Sequence, residues 1–65
     1  MSKIARLAEV RQAKGMTQEQ LAAATGVHRV TIARIETGEA SPKAETLKRL
    51  ADALGVPMDD LMEAG

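Results

Sequence analysis

Sixty-five residues, no cysteine, one histidine and no Phe, Tyr or Trp bound what this chain can be. At this size only about 60% of the unfolded surface can be buried, so one small domain is expected over residues 1–65, steadied by good helix packing or self-association. Disulfides and thiolate metal sites are excluded, a lone His cannot form a structural zinc site, and without aromatic rings there is no stacking platform for single-stranded nucleic acid or RNA.

Along the chain the periodicity is helical throughout, with no strand signal and no repeat. Ser2 is placed to cap a first helix running to about Lys14, with Ile4, Leu7, Ala8 and Val10 as its apolar stripe and Gly15 as its stop. Thr17 starts a second helix, and Thr17-Gln18-Glu19-Gln20 fits a capping box. Gly26 follows, suited to leaving one helix with positive φ, and the small Ala22 stands where a crossing helix would come closest. A third helix is expected from about Arg29 to Glu36, with His28 at its cap, Ile32 and Ile35 inward, and either Val30 or Thr31 joining them. Thr37 and Gly38 close it, and Pro42 breaks the loop beyond. A fourth helix is predicted over Ala44 to Leu54, with Leu47, Leu50, Ala51 and Leu54 inward and Gly55 as its stop. A fifth, short helix is predicted over Met58 to Met62 after Pro57, with Asp59 and Asp60 placed by the helix dipole. The expected fold class is all-α: a compact five-helix domain in which residues 17–38 form a helix-turn-helix.

Net charge is zero but unevenly spread: six Lys or Arg face two acids over residues 1–34, and three face seven over 35–65, giving +4 and −4. Such polarity fits a basic face turned to DNA and an acidic face turned away. No apolar run approaches the ~20 residues of a membrane span, and Lys3, Arg6, Glu9 and Arg11 interrupt any signal-peptide core. A cytoplasmic protein with no membrane partner is expected.

The spacing Gln18, Leu21, Ala22, Gly26, Val27, Ile32, Ile35, Glu36, Gly38 resembles the lambda-repressor/Cro-type helix-turn-helix family of bacterial and phage regulators. LAEVRQAKGMTQEQLA resembles the family's first helix and the start of its second, and ETLKRLADALGVPMDDLM its last two helices. The resemblance implies a transcriptional regulator, most simply a repressor. It would bind a palindromic operator on double-stranded DNA as a homodimer, with the third helix in the major groove. It implies that Arg29, Val30 and Arg34 lie against base edges, where Arg can grip guanine by two hydrogen bonds and Val can pack on a thymine methyl. It further implies that Gln18 holds a phosphate from the amino end of the second helix. Thr17, His28, Thr31, Thr37 and Lys43 are the other candidate backbone contacts. The family often has Asn where this chain has Thr37 and Ser where it has Lys43. Arg11 and Glu36 match a pair that bridges the first and third helices.

Val56, Met58, Leu61 and Met62 are more apolar than a short terminal helix needs; part of the set is expected to seal the core, and the set is also the candidate dimer patch. An antitoxin-like module, binding both DNA and a partner protein, is the alternative reading. No enzyme is expected, because no nucleophile–base pairing, phosphate-cradling Gly loop or metal set stands out. No cofactor is expected either.

Overall fold

The computed structural model describes residues 6–62 and is all-helical over them. Helix α1 spans Leu7–Ala13, α2 Gln18–Thr25, α3 Arg29–Thr37 and α4 Ala44–Leu54. Ser2 and Ile4, expected at the start of α1, lie outside the described residues; α1 there begins with the Arg6 carbonyl accepting from the Val10 amide at 2.9 Å.

The short helices are held by their ends. At α2 both arms of the capping box are made: the Gln20 amide donates to Thr17 Oγ1 at 3.0 Å, and the Thr17 amide donates to Gln20 Oε1 at 2.9 Å. These bonds satisfy two amides that the first turn leaves without partners. α2 then stops at Gly26 in the left-handed region, φ +76°. A Cβ built there would meet nothing within 4 Å, so the backbone angle alone calls for glycine. Thr25 stitches the same turn: its Oγ1 donates to the Leu21 carbonyl at 2.7 Å and accepts from the Val27 amide at 3.1 Å.

Each element sends side chains to one core: Leu7, Leu21, Ile32, Ile35, Leu47, Leu50, Ala51, Leu54 and Leu61. α2 packs against both α3 and α4, while α1 lies against α3 and the C-terminal turn. Six of these side chains are fully buried, each favouring the fold by about 1.5–3 kcal/mol of transfer free energy before entropy is set against it. Ala22 and Val27 pack on the core's edge.

Two expectations are corrected here. The predicted fifth helix is a single 3₁₀ turn, Met58–Leu61, so the described residues hold four α-helices and one 3₁₀ turn. Its bonds run three residues back, Asp60 amide to Pro57 carbonyl and Met62 amide to Asp59 carbonyl, and Met62 is already extended, so no α-turn closes. Leu61, predicted at the centre of a dimer patch, is 0% exposed. It caps the core of its own chain and has no surface to offer a second copy.

Candidate nucleic-acid interface

The outer face of α3 follows from its inner one. Ile32 and Ile35 are fully buried and fix the helix's rotation. At about 100° per residue, Val30, Arg34 and Thr37 then share one outward stripe, and Arg29 stands roughly 140° from Arg34 around the axis. Arg29, Val30, Thr31 and Arg34 are all exposed, so neither Val30 nor Thr31 turns inward as the sequence allowed. Val30 is 42% exposed, an apolar side chain on the outward stripe beside Arg34.

The surrounding candidates divide by what their side chains already do. His28, the residue before α3, is exposed and makes no capping bond. Lys43 is exposed just before α4. Thr17 Oγ1 accepts from Gln20, which leaves the hydroxyl hydrogen able to donate outward. Thr37 Oγ1 donates to the Arg34 carbonyl at 3.1 Å, so it must release that bond before donating to anything else.

Arg11 and Glu36 meet across α1 and α3. Arg11 Nε donates to Glu36 Oε2 at 2.6 Å, and Nη2 to Oε1 at 3.2 Å, a bidentate pair with side chains 10% and 7% exposed. Arg11 Nη1 donates to the Met16 carbonyl at 2.7 Å, and Gln18 Nε2 donates to Glu36 Oε1 at 2.9 Å. One carboxylate thus joins α1, the amino end of α2 and the carboxyl end of α3. The Arg11 pKa is raised, chiefly by the hydrogen bonds it donates to Glu36 and also by that carboxylate's charge, against burial, which lowers it. A raised cation pKa stabilises the fold at every pH below the unfolded Arg value and is lost only as pH climbs through the folded one. The arginine's side of the bridge is therefore constant across neutral pH.

Charge is distributed by pairing as well as by count. Among the described residues Arg6, Arg11, Lys48 and Arg49 each have a carboxylate within 4 Å, while Lys14, Arg29, Arg34 and Lys43 have none. Sequence spacing gave no signal for Gln18 joining the Arg11–Glu36 pair, since partners 18 residues apart meet only once α2 and α3 are packed, while the Met16 carbonyl is supplied locally by the turn after α1. Lys14 was visible as a charge, but nothing marked it as unpaired. No group of His, Cys, Asp and Glu able to hold a metal occurs among the described residues, and none of their helices is long and apolar enough to cross a membrane.

The sequence model of the helix-turn-helix family matches residues 7–61. The uncharacterized HTH-type transcriptional regulator RghRB of Bacillus subtilis is 44% identical over 59 residues, covering 89% of this chain and 42% of that protein. The HTH-type transcriptional repressor RghR of the same organism is 42% identical over 57 residues, covering 86% of this chain and again 42% of the relative. This chain therefore spans under half the length of those relatives. Among solved structures, the restriction-modification controller protein C.AhdI of Aeromonas hydrophila superposes with a TM-score of 0.83 at 36% identity, covering 86% of this chain and 85% of that one. With the motif, its outward-facing third helix and these matches together, the chain belongs to the lambda-repressor/Cro-type helix-turn-helix family of transcriptional regulators.

Proposed function

We propose that residues 1–65 form one sequence-specific, double-stranded-DNA-binding domain of a transcriptional repressor, acting in the cytoplasm on nucleoid or phage DNA. A homodimer would place two copies of α3 in successive major grooves of a palindromic operator, about 34 Å apart. Arg29, Val30 and Arg34 would read bases, and Thr17, Gln18, His28, Thr31, Thr37 and Lys43 would hold the backbone.

The observation that carries this reading is the state of α3's outer face, where two arginines without a carboxylate partner among the described residues flank an exposed valine. None of these features helps the fold, and each matches something a major groove offers: guanine acceptors, thymine methyls and phosphates. Among the described residues the exposed large apolar side chains are Val30 and Met62, and Met62 sits at the end of the proposed dimer patch with half-buried Val56 and Met58. Two of the relatives are named as repressors and one as an activator, so repression is the reading their names favour by number.

Selection of duplexes from a random pool tests the reading. Enrichment of a two-fold-symmetric site with half-sites one helical turn apart is the expected outcome. A pool that stays unenriched overturns it. Dimerisation is tested apart from folding by sedimentation of Met62→Lys, which should be monomeric with helicity intact; an unchanged dimer would remove this patch from the interface.

A further inference from the structure

We infer that Glu36 is a positioning residue for DNA binding, acting through Gln18. The inference rests on the DNA-binding reading above and assigns a task to a carboxylate that touches no DNA. Glu36 is an acceptor only, so the side of the Gln18 amide that faces it is the nitrogen. One Nε2 hydrogen is thereby committed to Glu36 at 2.9 Å, and the second, with the Gln18 main-chain amide, is left at the amino end of α2. A solvated glutamine must be ordered on binding, whereas one already held by a nearly buried carboxylate is ordered beforehand. Glu36 is itself fixed by two bonds from Arg11, which also balances its charge and removes its repulsion toward a nearby phosphate. The chain of contacts runs Arg11 to Glu36 to Gln18, from an anchor to a donor.

The sign of one substitution separates this role from that of a bystander acid. Neutralising a bystander beside DNA tightens binding, and all the more when it uncovers Arg11. Neutralising a positioning residue weakens binding because the donor it held becomes mobile. Affinity for a short mixed-sequence duplex at low salt is the measurement. Gln18→Ala and Glu36→Gln are each expected to weaken binding roughly two- to tenfold, the range of one net hydrogen bond. In the Gln18→Ala background, Glu36→Gln should bring no further loss. Tighter binding by Glu36→Gln, or losses that multiply in the double variant, would overturn the inference.

Should Glu36→Gln fail to fold, side-chain NMR relaxation of the wild type decides instead. The Gln18 Nε2 order parameter is expected near the ~0.85 of rigid backbone, against below about 0.6 for a solvated amide such as exposed Gln12. Gln18 as mobile as Gln12 would overturn the inference. A wild type that binds no duplex would instead sink the DNA-binding reading itself, whatever the relaxation shows.

Discussion

Helices α3 and α4 carry similar residues and treat them oppositely. α4 buries Leu47, Leu50, Ala51 and Leu54, and its outer cations are matched within the helix, Lys48 with Asp52 at 3.1 Å and Arg49 with Glu45 at 3.2 Å. α3 buries only Ile32 and Ile35, leaves Arg29 and Arg34 without carboxylate partners among the described residues, and exposes Val30. The outer face of α4 is finished by its own residues. That of α3 has no such pairing within the helix. The difference teaches that pairing tells the two helices apart where net charge does not: the chain sums to zero, yet among the described residues both arginines of α3 lack a carboxylate partner while Lys48 and Arg49 of α4 have one.

If α3 is held for a ligand, its inner attachment must be strong, and breaking it should give the largest effect. Arg11→Ala leaves Glu36 as an uncompensated, nearly buried charge. A loss of about 3–5 kcal/mol is expected from urea melts, enough to unfold much of a domain this small. A loss below about 1 kcal/mol, the range of exposed pairs, would put Arg11–Glu36 in the same class as the pairs on α4.

The next test sets a core position of α4 against a surface position of α3. Leu50 is fully buried, so Leu50→Ala should destabilise by about 2–5 kcal/mol and alter DNA preference little once the protein is folded. Arg34→Ala should do the reverse, leaving stability within about 0.5 kcal/mol while relaxing preference at a particular guanine by roughly 1–3 kcal/mol. Arg29→Ala should relax preference at a different position, because the two side chains leave the helix far apart around its axis. Ranked operator lists from pool selection are the readout. Lists identical to that of the wild type would show that α3 is not reading bases.

Gly26 controls how α3 leaves α2; Gly38 ends α3 in the same left-handed conformation, φ +86°, but a longer loop through Pro42 then leads to α4. Gly26→Val has open space for its side chain but must hold a β-branched residue at φ +76°. A cost of about 1–3 kcal/mol from backbone strain is expected by thermal melting, and Gly26→Asn should recover part of it because Asn tolerates the left-handed region better.

How much of this comparison was legible beforehand depended on the range of the interactions. Helices α2 to α4 and their caps follow from local rules: the capping box at Thr17, the left-handed glycine at 26, and the 3.6-residue spacing of Leu47, Leu50, Ala51 and Leu54. The outward set Arg29, Val30, Arg34 came from family resemblance, and periodicity left Val30 and Thr31 open until Ile32 and Ile35 fixed the rotation. What escaped was set by packing across elements. Which of Val56, Met58, Leu61 and Met62 seals the core stayed open because Leu61's partners lie far back in the chain, and the C-terminal turn read as α because four residues cannot reveal which hydrogen-bond register will close. Gln18 read as a free surface donor because the carboxylate that takes its amide ends a different helix.

The smallest expected effect is also the sharpest form of the comparison, because it uses one residue type in two settings. Lys43 and Lys48 are both exposed lysines five positions apart; Lys48 is paired with Asp52 within α4, and Lys43 has no partner among the described residues. Lys48→Ala should cost about 0.3–0.5 kcal/mol, the worth of an exposed i,i+4 pair, and should leave DNA binding unchanged. Lys43→Ala should leave stability unchanged and weaken binding to all duplexes nearly evenly, because a phosphate contact positions without specifying. It should also flatten the log–log dependence of affinity on salt by about one unit, since one fewer counterion is released. Gln18→Ala supplies the control, weakening binding with the slope kept, since Gln carries no charge. Equal salt slopes for Lys43→Ala and Lys48→Ala would mean that pairing does not distinguish the two faces.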